Sequence, residues 1–403
     1  MAPADNCSLI LVTGTKLLSP LGLSRSFGFG DRLGLATPGH IAAVKGSGMA
    51  PVFAQQSVRE NTRTGRTPQQ VMDDAQRAVD ALEWDAPWGA DADHLRTVDD
   101  LLPFIKAGYT FFTVDPGAYV DNTAETDSLE ILQEKARNVN LDQLTDLYLR
   151  STEDQAWGAF DQKKLLQAEV KYGQAIRHTV AMYHHLVQMK DDFDFEVSVD
   201  ETDSPTTPLE HFFIASELSR QGVKFTSLAP RFIGRFEKGV DYLGNLTELD
   251  AEMAKHAAVT AHFGTYKLSL HSGSDKFSVY PLIVKHWGER LHIKTAGTSY
   301  LEALRTLAAI DPVLFERIWM LGLERYPVER VTYHVSADLE RVPIGASRHA
   351  LLDDFHAREI LHVTFGSALA QFGAEIKAAL AWHIKEYNAN LRKHFKKHLD
   401  LLK

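Results

Sequence analysis

The sequence predicts a (β/α)8 barrel of the TIM type, with a helical insertion and a C-terminal helix. Two observations carry that expectation. Short segments that are apolar on one parity recur along the chain, and helices with clear start signals lie between them. On the other parity these segments carry polar or charged residues, most heavily at their C-terminal ends. An open doubly wound sheet is covered by helices on both faces and needs strands that are apolar throughout. The polar parity therefore favours a closed barrel whose interior opens into a site.

Strands are expected at 51–56, 89–94, 109–115, 195–201, 224–230, 267–271, 292–297, 331–336 and 361–365. These outnumber the eight that a barrel needs, so at least one is an edge hairpin or no strand. Their polar parity collects Gln55, Asp93, Asp115, Asp200, His271, Lys294, His334 and His362. Thr67-Pro68 opens a helix with apolar positions Val71, Ala75, Ala78, Val79 and Leu82. Thr207-Pro208-Leu209-Glu210 is a capping box with proline at the first helical position, and Gly222 is its stop. Ser299-Tyr300-Leu301-Glu302 reads as another capping box. Residues 118–190 interrupt the rhythm with an acidic, mostly helical insertion, readable as a lid or a homo-oligomer contact. Residues 367–403 read as one helix ending in Lys393, Lys396, Lys397 and Lys403, which suits its dipole. The whole chain, 1–403, is expected to form a single barrel domain.

Composition narrows the function. With 403 residues and 44% hydrophobic content the chain can bury a large core. A net charge of -10 argues against a nucleic-acid partner but not against small anions, which respond to local fields. The one cysteine, Cys7, excludes intrachain disulfides and thiolate metal clusters and suits a reducing compartment. The apolar run at 9–12 is too short for a secretory core or a membrane span. A soluble cytoplasmic protein without a membrane partner is expected.

Several clusters could carry chemistry, and each has a plainer reading. Asp93-His94 at a strand end offers one metal ligand and one general base, or else a capped loop aspartate and a core histidine. His271 ends a strand on the polar parity, as His334 and His362 are expected to. Converging imidazoles with carboxylates suit zinc, manganese, nickel or cobalt. Asp200-Glu201 supplies a general acid and a group that orients it, or an exposed acidic loop. Lys294 pairs with Glu196, binds a sugar oxygen or carboxylate, or, least in keeping, forms a Schiff base. Arg231 and Arg235 suit a carboxylate substrate, and Glu237 and Asp241 could complete a metal site; the bland alternative is a surface ion-pair network. Gly297-Thr298-Ser299 opens a helix and could seat an anion. "FGFGDRLG" (27–34) is a poor match to a dinucleotide loop, because its spacing is wrong and two phenylalanines interrupt it.

Longer motifs carry a resemblance. "FGFGDRLGLATPGHI", "PVFAQQSVRENTRTGRTPQQVMDDA", "GADADHL", "GYTFFTVDPG", "EVSVDET", "SLAPRFIGRFEKGVDY", "YKLSLHSGSDKFSVYP", "KTAGTSYLEALR", "YHVSAD" and "HVTFG" resemble the tagaturonate epimerase family, from about residue 25 to 370. The resemblance implies a metal-dependent isomerase that interconverts tagaturonate and fructuronate. Some relatives act as 4-epimerases of fructose and tagatose. It implies Asp93 as the base and Glu201 as the acid. His94, Glu237 and His271 are then the metal ligands, with His334 a candidate fourth. Gln55, Arg231, Ser274, Asp275, Lys276 and Lys294 would meet the keto-sugar. The inverted carbon lies β to the ketone, so its hydrogen is not acidic and simple deprotonation fails. Two routes remain: transient oxidation by a tightly bound nicotinamide, for which the chain lacks a proper fingerprint, and retro-aldol cleavage and re-addition, which needs a base, an acid and a Lewis acid. A sugar isomerase or aldolase on the same barrel, or a non-catalytic sugar-binding protein, are the competing readings.

Overall fold

A computed structural model describes residues 17–152 and 155–403, and in it eight parallel strands close into a barrel in sequence order. They are β1 (Ser26–Gly30), β2 (Ala50–Ser57), β3 (Gly89–Leu95), β4 (Phe111–Val114), β5 (Asp194–Val199), β6 (Ser227–Pro230), β7 (Lys267–Leu270) and β8 (Leu291–Thr295). The seam is β8 against β1, with Ser26 opposite His292 and Gly28 opposite Lys294. Cys7 and the apolar run at 9–12 lie outside the described residues. Among the described residues no helix is long and apolar enough to cross a membrane.

Two expected strands are absent and one was missed. Residues 331–336 form a short 3-10 turn and a loop, with Val331 80% exposed. An alternating pattern alone does not make a strand when no neighbouring strand is there to pair. Residues 361–365 belong to the helices Phe355–Val363 and Phe365–Trp382. The Asp354 side chain caps the first of these, and its last turns are buried all round, so no helical period shows in the sequence. The missed strand is β1, at the head of the glycine-rich stretch. Its phenylalanines face the helices, where Phe29 stacks on His40 at 4.8 Å and meets Phe395 at 5.0 Å. Its glycines mark close approach: a Cβ on Gly30 would lie 2.6 Å from the Ala296 carbonyl oxygen, and one on Gly28 would strike Gln55.

Helix starts follow the sequence signals at Thr67 and Thr207, where both capping boxes are complete. Gly222, at φ +80°, follows the second of these helices. Ser299 is different. The helix starts at Thr298, and Ser299 sits buried inside it, donating its hydroxyl to the Gly30 carbonyl at 2.7 Å. Gly297 takes the cap position because a Cβ there would collide with His362. Between β4 and β5 the chain forms helices Leu129–Lys135, Leu141–Tyr148 and Gln162–Met189. The tail is two helices rather than one, Phe365–Trp382 and Ile384–Asp400, broken at His383.

His40 ties β1 to the helix after β8. Since Ser299 gives its proton to Gly30, His40 Nε2–H must donate to Ser299 Oγ at 2.8 Å. Its Nδ1 has no partner and carries the lone pair of a neutral ring. Burial lowers its pKa from 6.5 to about 4, against a weak pull from Asp31. The unfolded chain therefore binds this proton more readily than the folded one. Stability from this group is full above pH 6.5 and is lost as pH falls towards 4, by up to about 3 kcal/mol. His40→Leu is expected to flatten the pH dependence of unfolding free energy across that window in urea titrations. Identical slopes in the two proteins would contradict this.

Candidate active site

The barrel interior is built around one ammonium group. Lys294 on β8 reaches across to Asp91 Oδ2 (2.7 Å) and Asp93 Oδ1 (2.8 Å) on β3, and to Glu196 Oε1 (2.8 Å) on β5. It also meets Thr113 Oγ1 on β4 at 2.6 Å. Only the inside of a barrel lets one side chain on β8 touch β3, β4 and β5 on the opposite wall. Burial opposes the charge on Lys294, but the carboxylates of Asp91, Asp93 and Glu196 override it and raise its pKa. Burial pushes the Asp91 carboxyl up to about 7, despite the nearby Lys294. Asp93 and Glu196 stay ionised: burial works against them, and Lys294 with the neighbouring histidines more than compensates. With hydrogen bonds to Asp93 and Thr113 and ion pairs to Asp91 and Glu196, the ammonium serves the cage; pairing with Glu196 is the structural alternative that the sequence leaves open.

Above the cage, β3 changes register on β4 between Ala92 and Leu95. This bulge lets the consecutive residues Asp93 and His94 serve the same end of the barrel. His94 has φ +53°, and at the end of β7 Ser272 and Asp275 have φ +50° and +60°. Such backbone persists only where surrounding contacts enforce it. His271 is held on both nitrogens, by Glu196 at 2.7 Å and Asp200 at 3.2 Å. Its ring stands edge-on to His94 at 5.1 Å. His94 Nδ1 lies 3.4 Å from Asp115 and Nε2 lies 3.9 Å from Asp93. Burial disfavours charge on both imidazoles. Asp93 and Asp115 nevertheless raise His94 to about 9, and Asp200 with Glu196 raises His271 to about 10. Glu201 is clamped by Arg59 at 3.1 Å and Arg96 at 3.2 Å, and Arg96 also reaches Asp115 at 3.0 Å.

A cavity of about 340 Å³ opens from this mouth, lined by Asp200, Glu201, Arg231, Glu237, Lys238 and His271, with residues 332–336 along one side. His334 thus lines it from an exposed loop, not from a strand end. His362, on a helix, reaches a small inner recess shared with Gln55, Asp93, His94, Ser274 and Lys294. Glu237 is engaged by the Ser336 hydroxyl (2.7 Å) and amide (2.9 Å), and Arg235 lies 3.3 Å away. Glu359 binds the same loop through the Ala337 amide at 2.7 Å. Burial and the adjacent Glu237 push the Glu359 carboxyl up to about 9. Asp241 caps Ser278 instead, at 2.9 Å from its hydroxyl.

Two expected sugar contacts lie elsewhere. Asp275 turns outward to Arg358 (2.9 Å) and His394 (2.5 Å). Lys276 donates to the carbonyls of Glu237, Val240 and Ser274, pinning the loop after β6. The left-handed turn at Asp275 directs these side chains away from the recess that Ser274 lines. Asp91, Arg59 and Arg96 were overlooked. Asp91 shares parity with Asp93 in "GADADHL", a signal that was legible; the arginines simply follow strand ends.

The chemistry of this mouth fits a divalent cation. One ligand atom from each of Asp93, His94 and His271 lies within 4.8 Å of the others. His94, Asp115 and Glu201 form an overlapping group of the same kind. The carboxylates of Asp93, Asp115, Glu196, Asp200 and Glu201 outnumber the fixed cations Lys294, Arg59 and Arg96 that pair with them. That excess is what holds both imidazoles protonated, and a cation bound to them would replace those protons. Glu237 does not fall within the grouped ligand atoms.

Comparison with known proteins agrees with the geometry. A family model described as tagaturonate epimerase matches residues 12–402. A tagaturonate/fructuronate epimerase of Thermotoga maritima is 43% identical over 396 residues, covering 94% of this chain and 81% of that protein. The native crystal structure of a fructuronate-tagaturonate epimerase from Cohnella laeviribosi is 38% identical and superposes with a TM-score of 0.91, covering 96% of this chain and 83% of that one. A glycerol complex of the same enzyme gives a TM-score of 0.90 at 37% identity and the same coverage.

Lys294→Met is expected to destabilise the protein by about 3–5 kcal/mol, because it strands buried carboxylates without a countercharge. Adding Asp91→Asn should recover part of that loss. Urea unfolding of the single and double variants tests both. A single variant as stable as the parent would contradict the cage.

Proposed function

The chain belongs to the tagaturonate epimerase family, and from that premise we propose that it interconverts tagaturonate and fructuronate by retro-aldol cleavage and re-addition at a divalent cation. The family makes it a carbohydrate epimerase; the cation, the route and the residue roles are our reading. The observation that carries it is the pairing of His94 and His271, which share one small inner recess, with ionised carboxylates.

The proton chemistry falls to Asp93 and Glu201. Asp93, kept ionised by Lys294, accepts the proton of the C4 hydroxyl. The electrons of that O–H bond form the C4 carbonyl, and the C3–C4 bond breaks. Its electron pair moves to C3 and on to the C2 oxygen, leaving an enediolate and a three-carbon aldehyde acid. The aldehyde turns by half a rotation, C3 attacks its other face, and the new C4 alkoxide takes a proton from Glu201. Glu201 is a carboxylate at rest, since His94 and Arg59 outweigh its burial. It therefore donates only after taking a proton from water, and Asp93 returns its proton to water to reset the site; in the reverse direction the two carboxyls exchange duties.

His94 and His271 would hold the cation; Glu237 and His334, which line the same cavity as His271 but lie outside the grouped ligand atoms, would have to move toward it to complete the set. When bound, the cation supplies positive charge where the enediolate oxygen develops. Glu196 fixes the His271 ring from behind, and Gln55 and Ser274 line the recess beside it.

Chelation is expected to abolish epimerisation, and zinc, manganese, nickel or cobalt to restore it. Full turnover in metal-free protein would end the cation reading. Asp93→Asn should keep its bound metal and lose about 10²–10⁴-fold in kcat. His271→Ala should lose the metal while remaining folded. If Asp93→Asn loses metal together with turnover, Asp93 is a ligand and not the base.

A further inference from the structure

The cavity wall holds one cation that the protein leaves uncommitted. Arg231 follows β6 directly, and its backbone is fixed by Thr206 through bonds of 2.8 and 3.1 Å. Its side chain faces the cavity that also holds Glu201 and His271. Among the described residues the guanidinium makes no close ion pair or hydrogen bond, Asp203 and Asp200 acting on it only from a distance, and Nη1 is buried without a partner. The contrast with its neighbours is plain. Arg235 lies beside Glu237 at 3.3 Å, and Lys238 donates to Ser272 at 2.6 Å. Elsewhere Arg32 meets Glu60 at 2.8 Å, Arg66 meets Asp74 at 2.6 Å and Arg358 meets Asp275 at 2.9 Å. A desolvated donor without an acceptor is costly, and a guanidinium is the group best shaped to take a carboxylate through two parallel bonds.

We infer that Arg231 seats the C6 carboxylate of the substrate and serves as the pivot for the cleaved fragment. This deepens the retro-aldol reading and rests on it. After C3–C4 cleavage the aldehyde at C4 must turn while C5 and C6 stay in place. A fragment held only at the aldehyde would lose its position as it turned. A fragment gripped at the far end by a charged fork rotates about its own C4–C5 bond and presents the other face to C3. The same grip separates a uronate from a neutral ketohexose, whose C6 hydroxymethyl gives the guanidinium no charge to pair with. Arg231 is thus a specificity-determining residue that touches the substrate away from the reacting bond.

The test uses the metal-loaded enzyme with glycerate and glycerol as competing inhibitors of uronate epimerisation. They are matched three-carbon probes that differ in the carboxylate. In Arg231→Met, inhibition by glycerate is expected to weaken about 100-fold while inhibition by glycerol stays as in the parent. Uronate kcat/KM should fall by a similar factor, and the three-carbon aldehyde acid should become trappable during turnover. Arg231→Lys should fall between the two, with charge but no fork. Glycerate inhibition that is unchanged in Arg231→Met, or that weakens together with glycerol, overturns the assignment, as does a parent enzyme blind to glycerate. The inhibitor contrast needs no bond cleavage, so its failure counts against Arg231 and leaves the retro-aldol reading standing.

Discussion

The interior depends on a single buried ammonium group. Lys294 is the charge that lets Asp91, Asp93 and Glu196 share the inside of the barrel. Carboxylates at that depth without it would take up protons or force the barrel open. The excess is relieved at Asp91, where burial drives the carboxyl up to about 7. Asp93 and Glu196 are then left ionised and fixed. Fixing Glu196 fixes His271 just after β7, since the two lie 2.7 Å apart. One residue on β8 thereby sets the positions of side chains on β3, on β5 and just after β7, and the mouth inherits its geometry from the cage below.

The mouth is built differently. Its carboxylates are shared among histidines and two arginines, and its backbone is bent where it meets the cavity, at the β3 bulge and at His94 and Ser272. Local strain of this kind is tolerated over a rigid support and re-aims side chains that a regular strand would send to opposite faces. The loop at 332–336 adds a wall, held by Glu237, Glu359 and Arg63, with Tyr333 and Val335 packed against the core.

Much of this was legible in the sequence, for definite reasons. Side-chain alternation marked β2 to β8, and the polar parity correctly put Asp93, His271 and Lys294 inside the barrel. It failed where period and environment part company. Residues 361–365 are buried all round in helices, so their pattern imitates a strand. β1 hid behind Gly28 and Gly30, which are there because Gln55 and the β8 backbone approach too closely for a Cβ. Asp275 and Lys276 sit in the right loop, but a left-handed residue turns the chain, which sequence spacing does not reveal. The arginines that clamp Glu201 come from the helix after β2 and the loop after β3, and only closure of the barrel brings them together.

The cleavage reading makes one claim that no other route shares: the bond between C4 and its hydrogen is never broken. The most direct measurement is therefore the epimerisation of substrate deuterated at C4 in ordinary water, following both the rate and the label. The account predicts full retention of deuterium in the product and no primary isotope effect on kcat/KM. Loss of the label to solvent, or a primary effect from a departing proton or hydride, would contradict it.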